Sequence, residues 1–382
     1  MTLHVQHHVK PDGRDLWLYA PTPFAAPSPD LVAACPQRGE SGGNHLRWHP
    51  LRGEWIIYAG ARQGRTFLPP PDWNPLAPTS DPAHPSELPA GDWQVAVFEN
   101  LFPALHGTAL APLPPLPQDV ITAPSGGRCE VVVYTQDPTT SLAALPVAQV
   151  ELVLAVWAER TAALGRRADV AYVFPFENRG VEVGVTLQHP HGQIYAYPFV
   201  PPAIERELTV QRSYHAHHGR GPLTQLIEDE VTASVRMLHT GEHAVAFVPA
   251  CARWAYEIWI APRRAVATLA ELTELERHSL AVALSVALRK LDGLWQRPMP
   301  YVLTVHQAPS RGEHPGAHAH IEIYPWLRMP DRLKYLAGSE VGAGAFTADT
   351  LPEAKAAELR AVEIASEPAP PPSATTPGEG LR

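Results

Sequence analysis

Positive charge is scarce in this sequence: 30 Lys and Arg stand against 39 Asp and Glu, for a net charge of −9. No long basic run offsets the deficit. A nucleic-acid partner is therefore not expected, because a duplex binder needs a broad cationic footprint. A small phosphorylated ligand stays open, since a few Arg residues, backbone amides or a helix N-terminus can hold it. Cysteine is scarcer still. Cys35, Cys129 and Cys251 are odd in number and far apart, so neither a disulfide framework nor a CxxC metal site can be drawn. Cys129 and Cys251 read as inert core residues of strands. Apolar runs are broken by charge before the roughly 18–20 residues that a membrane span needs. The opening MTLHVQHHVKPDGRD has neither a basic start nor an apolar stretch, which predicts no secretion signal and a cytoplasmic protein.

What is present is globular: 382 residues, 45% hydrophobic and 18% charged, enough for two ordinary domains or one built from two similar halves. An internal repeat favours two halves. At a constant offset of 127 residues, CEVVVY (129–134) falls on YEIWIA (256–261), SLAALP (141–146) on TLAELT (268–273), and HGQIYAYP (191–198) on HAHIEIYP (318–325). Each half reads as strand, turn, a helix of 18–20 residues (146–165 and 273–292), then further strands. The pattern predicts an α+β fold with a shared sheet. Residues 1–44 form an N-terminal extension, 45–202 the first repeat, 203–240 a helical linker and 241–350 the second repeat. The segment 61–92 is Pro-rich and irregular, and the Pro-, Ser- and Thr-rich tail 366–382 is expected to be disordered.

The chemistry concentrates in VAYVFPFENRGVEVGVTLQHPHGQIYAYPF (170–199). On an extended strand alternate side chains share a face, so His189, His191 and Gln193 lie together. Pro190 suits an irregular strand entry, and Gly192 would let a phosphate approach the backbone. Neutral imidazole attacks phosphorus well, provided that one ring nitrogen holds its proton while the other attacks. The carbonyl of His189 is placed by sequence to fix that proton. Gln193 can donate an amide hydrogen to a phosphoryl oxygen without giving up a proton.

These residues resemble the active-site segment of the galactose-1-phosphate uridylyltransferase family, the transferase branch of the histidine-triad superfamily. The likeness runs from about 45 to 350 through RWHPLRGEWIIYAGARQGRTFLP, VFENLFPAL, VFPFENRG, HPHGQIYAYPF and HQAPSRGEHPGAHAHIEIYPWLR. It implies two histidine-triad-like repeats sharing a mainly antiparallel sheet flanked by helices. It also implies transfer of UMP from UDP-glucose to galactose 1-phosphate through uridylyl-His191. In that chemistry Gln193 stabilises the phosphoryl oxygens and the chain works as a homodimer.

By the same resemblance, Arg62 and Arg65 bind phosphate. Asn100, Asn178, Gly184 and Thr186 contact the uridylyl group, and Lys334, Tyr335, Gly338 and Glu340 contact the hexose and its phosphate. Without the resemblance the arginines read as solvated loop residues and Asn178 as a turn residue.

His318 and His320 lie two apart on a strand and so face one side, as two ligands of one metal would. With His306 and Glu207 they match the family's structural metal site, one iron or zinc per chain. The family's second zinc site is expected to be absent, because its best-matching positions here are Asn74, Ala77, Pro138 and His189, and one His cannot hold zinc. Pro-rich packing in 66–90 is expected to replace it. Two other readings compete: a nucleotidyl-transferring phosphorylase acting on an ADP-sugar or dinucleoside polyphosphate, and a non-catalytic nucleotide-binding or metal-storage protein.

Overall fold

The computed structural model describes residues 2–36, 43–60, 62, 73–79, 81–107 and 113–364. Arg65, residues 66–72 of the Pro-rich segment and the tail 366–382 lie outside the described residues.

Strands from both halves of the chain merge into one eleven-stranded sheet. In chain order they are β1 (His4–Val9), β2 (Asp15–Ala20), β3 (Val95–Glu99), β4 (Arg128–Val133), β5 (Tyr172–Arg179) and β6 (His191–Tyr197). There follow β7 (Met237–Thr240), β8 (Ala244–Phe247), β9 (Ile258–Pro262), β10 (Tyr301–His306) and β11 (His320–Pro325). Their spatial order is β1-β2-β3-β4-β6-β5-β10-β11-β9-β8-β7, with antiparallel neighbours throughout. The order β4-β6-β5 is mirrored by β10-β11-β9, and the halves join where Phe176 of β5 pairs with Thr304 of β10. The repeat predicts a shared sheet and the family resemblance a mainly antiparallel one, and this sheet is both.

The helices obey the same offset. Val147–Gly165 forms α1, Pro202–His218 α2, Pro222–Ala233 α3 and Glu274–Gly293 α4. Helix α4 starts on a capping box in which the Thr273 hydroxyl accepts from the Glu276 amide and Glu276 reaches back to the Thr273 amide. α1 and α4 lie together on one face of the sheet and share one core with it, through Val150, Trp157, Ile194, Ala196, Leu284, Leu288 and Ile323. Fully burying such a side chain contributes about 1.5–3 kcal/mol, so this face fixes the register of both repeats. Buried Arg160 on α1 reaches Glu130 of β4 at 2.7 Å and stacks on Trp17 of β2, which ties the N-terminal hairpin to the first half.

The hairpin expected near 45–60 is present, His45–His49 pairing with Glu54–Tyr58. Two expectations fail. Residues 237–240 belong to an edge strand, not to the helical stretch: Ser234 takes a left-handed conformation (φ 56°) that ends α3, and Met237 is then buried beside β8. Cys251 is exposed in a turn and not a core strand residue, whereas Cys129 is buried in β4.

Candidate functional site

Strand β6 alternates half-buried and buried residues. Ile194 and Ala196 enter the core beneath α1, so His191, Gln193 and Tyr195 occupy the opposite face. Gly192 also points toward the core. A Cβ there would stand 2.1 Å from the Tyr134 hydroxyl oxygen and 2.9 Å from the Phe176 carbonyl. Packing behind the strand therefore demands glycine, and not the approach of a phosphate to its front.

His191 opens β6, and its Nδ1 lies 2.7 Å from the His189 carbonyl. A carbonyl only accepts, so Nδ1 carries the proton and Nε2 presents the lone pair, the tautomer that attack through Nε2 requires. His189 is buried, its Nε2 donating to the Thr135 carbonyl (2.7 Å) and its Nδ1 accepting from the Asn74 side-chain amide (3.0 Å). Burial lowers its pKa, the Thr135 carbonyl opposing, which favours the neutral ring. The expected partners of a second zinc do not suit the metal: Asn74 already bonds this imidazole, and Ala77 and Pro138 offer no side-chain ligand atom.

Two cavities meet at His191. The larger, about 510 Å³, is lined by His189, Asn178, Arg179, Thr139, Ser141 and Asp292 among others. The smaller, about 250 Å³, is more apolar, with Trp73, Leu76, Phe98 and Phe102 facing Asn100, Thr186 and Gln193. The Asn100 side-chain oxygen accepts from the Phe102 amide, which fixes the turn after β3. Arg62 is drawn to the same face of β6, donating to the Phe102 carbonyl (3.0 Å) and the Tyr195 hydroxyl (3.4 Å). Gly184 closes the turn Val181–Val183 at φ 79°, with open space where a Cβ would be.

Sequence reasoning passed over two carboxylates here. Glu177 floors the larger cavity, accepts from the Tyr301 hydroxyl at 3.0 Å, and burial pushes it up to about 7. It precedes Asn178 in the FENRG segment, where its carboxylate carries no signal of burial. Glu87 borders the smaller cavity, in a Pro-rich stretch that offered no periodicity to read.

The residues expected to touch the hexose lie elsewhere. Lys334, Tyr335, Gly338 and Glu340 border neither cavity. Buried Lys334 donates to the Thr347 carbonyl, Tyr335 is 76% exposed, and the Glu340 carboxylate accepts from the amides of Ala337 and Thr347.

A second cluster occupies the other half. Glu207 of α2, His306 of β10 and His320 of β11 bring one ligand atom each within 4.8 Å of one another, around a space of about 10 Å³. Two imidazoles and a carboxylate suit a transition metal. His318 borders the space, but its nitrogens are taken up by the Pro262 carbonyl (2.8 Å) and the Thr224 hydroxyl (3.1 Å). Glu322, missed in the sequence, lies 3.1 Å from His320 Nε2 and 3.8 Å from His306 Nε2. Alternation along β11 puts it on the face of His320, a signal the sequence did contain.

Known proteins match this arrangement. Residues 38–201 match the family model described as galactose-1-phosphate uridyl transferase, N-terminal domain, and 207–367 its C-terminal domain. A galactose-1-phosphate uridylyltransferase of Thermotoga maritima is 37% identical over 326 residues, 84% of this chain and 98% of that one. Another, of Streptomyces lividans, is 40% identical over 75% of this chain and 79% of its own length. A solved structure of a uridylyltransferase superposes with a TM-score of 0.74 at 33% identity, covering 83% of this chain and 98% of that one. With the folded His-Pro-His-Gly-Gln strand at the junction of two cavities, these matches place the chain among the enzymes of the galactose-1-phosphate uridylyltransferase family.

Proposed function

We propose that the enzyme moves UMP from UDP-glucose to galactose 1-phosphate in two displacements on one histidine. The lone pair of His191 Nε2 forms a bond to the α-phosphorus, and the bond from that phosphorus to the β-phosphate oxygen breaks, releasing glucose 1-phosphate. A phosphate oxygen of galactose 1-phosphate then takes the uridylyl group, and Nε2 recovers its lone pair. The observation that carries this reading is the hydrogen bond of His191 Nδ1 to the His189 carbonyl, which fixes the attacking nitrogen and holds the ring through both steps.

Gln193 stands on the same face, where its amide can donate to non-bridging oxygens as charge builds, an interaction worth about 3–4 kcal/mol in other enzymes. The apolar cavity suits the uridine, with Asn100 and Thr186 at its polar margin, while Asn178 flanks the phosphates from the other side, with Gly184 in the turn just before cavity-lining Val185. Arg62, with Arg65, supplies positive charge to them. Lys334, Tyr335, Gly338 and Glu340 reach the hexose from a second copy of the chain. Exposed Tyr335, Val341 and Leu351 around them support such a homodimer.

Glu207, His306 and His320 hold one iron or zinc, with His318 joining after its ring leaves Pro262. The metal's role is structural, clamping α2 to the strands of the second half. The second zinc site is absent, and the cytoplasm is the site of action. No helix among the described residues is long and apolar enough to cross a membrane.

A nucleotide-sugar panel tests the reaction. With galactose 1-phosphate as acceptor, UDP-glucose should turn over and ADP-glucose should not. Preference for ADP-glucose, or phosphate acting as the better acceptor, would replace this reading with that of a phosphorylase.

A further inference from the structure

The N-terminal hairpin β1–β2 lies outside the 38–201 family match, yet it reaches the wall of the smaller cavity through buried charges. Lys10 Nζ donates to Glu87 Oε2 at 2.5 Å, and Arg14 Nη1 donates to the same oxygen at 2.8 Å. Arg14 also binds Asp12 (2.6 Å), the Glu99 carbonyl (3.1 Å) and the Pro36 carbonyl (2.5 Å), and Lys10 stands 4.3 Å above the ring of Phe98. All four ionic side chains, Lys10, Asp12, Arg14 and Glu87, are nine-tenths buried or more. Two cations thus hold one oxygen of Glu87, while its Oε1 accepts no hydrogen bond among the described residues. Glu87 lines the cavity that Asn100, Gln193 and His191 also line.

The arrangement has a physical purpose that packing alone does not require. A bare carboxylate would repel a nucleoside diphosphate. Here Lys10 and Arg14 balance Glu87 and Asp12, so the cluster is neutral overall and an acceptor can face an anionic ligand without a net repulsive charge. A carboxylate oxygen recognises donors. Uracil offers a single N–H between two carbonyl oxygens, which a carboxylate repels. The ribose offers two adjacent hydroxyls, and acidic side chains serve as ribose readers in other nucleotide sites.

We propose that Glu87 is a specificity-determining residue that binds the ribose hydroxyls of the nucleotide through Oε1, and that the N-terminal hairpin exists in part to hold it there. The inference rests on the uridylyl-transfer reading and assigns the smaller cavity to the nucleoside.

The test compares UDP-glucose with its 2′-deoxy and 3′-deoxy analogues on the full-length protein. Hydrogen bonds to charged groups are worth about 1.5–3 kcal/mol, so losing one should cost roughly 10- to 100-fold in kcat/KM. That loss is expected for at least one analogue with the native enzyme, chiefly as a rise in KM. In Glu87→Gln the ribose-to-deoxyribose ratio should fall to within about 3-fold. Glu87→Asp keeps Lys10 and Arg14 paired but retracts the acceptor by one methylene, and should show the same narrowing should Glu87→Gln fail to fold. Normal turnover of UDP-glucose with equal use of both analogues would overturn the inference alone, as would a folded Glu87 variant with undiminished discrimination. Absence of any uridylyl transfer from UDP-glucose by the native enzyme would overturn the reaction reading and this inference with it.

Discussion

The two halves of the chain carry the same device in different surroundings. In the first half His191 Nδ1 is held at 2.7 Å by the carbonyl two residues upstream, and in the second His320 Nδ1 is held at 2.9 Å by the carbonyl of His318. The 127-residue offset pairs His191 with His318, but by this hydrogen bond its structural counterpart is His320. What differs is the far side of the ring. His191 is half-buried and borders two cavities, whereas His320 is buried with its Nε2 facing Glu322 at 3.1 Å. Burial pushes His320 down, but the Glu322 carboxylate outweighs it and raises the pKa overall. Orientation of an imidazole is thus supplied by the strand, and its chemistry by what the other nitrogen meets.

The sharpest way to break that comparison is to remove one ring at a time. His191→Gly should abolish uridylyl transfer, with a loss on the order of the 10⁶-fold seen when nucleophiles are removed elsewhere, and leave the far-UV circular dichroism unchanged. His320→Asn should retain transfer but lose metal. Retained turnover in the first variant would assign the nucleophile elsewhere. Gln193→Ala comes next, with kcat lowered about 10²- to 10³-fold at a nearly constant KM, because the lost donor acts where charge develops. A pure KM effect in steady-state kinetics would demote Gln193 to a binding residue.

Glu207→Ala sharpens the other half. Elemental analysis should find about one metal per native chain and a deficit in the variant, with transfer changed by less than about tenfold, as befits a structural clamp. An unchanged metal content would remove Glu207 from the ligand set.

The smallest effect concerns Glu177. Its folded pKa, raised by burial to about 7, exceeds the ordinary 4.5, so the native state binds the proton more tightly than the unfolded chain. The stability this contributes is present below about 4.5 and lost as pH rises toward 7. Glu177→Gln should remove that slope when urea midpoints are compared across the interval, and parallel curves would contradict the buried-acid assignment.

The sequence made one half of the site far more legible than the other. His191 and Gln193 share a face by alternation along β6, whereas His189 lies in the bend before it, and the repeat predicts the shared sheet and both long helices. Glu87 was invisible, because its partners Lys10 and Arg14 come from a hairpin more than 70 residues away and only tertiary pairing brings them together. Gly192 was legible as a necessity but for the wrong reason, since the demand comes from Tyr134 behind the strand. The edge strand Met237–Thr240 was read as helix because its four residues continue an apolar spacing that Ser234 interrupts only through its backbone angle. Residues 334–340, named as hexose contacts by likeness alone, border neither cavity, and no repeat or alternation in the sequence bears on where they lie.

The proposed transfer requires a covalent bond to one nitrogen, His191 Nε2. Incubating the enzyme with UDP-glucose alone, quenching without acid and mapping peptides by mass spectrometry should find a uridylyl adduct on the peptide containing His191, absent from His191→Gly and removed by galactose 1-phosphate. An adduct on another side chain, or turnover with no adduct at all, would contradict it.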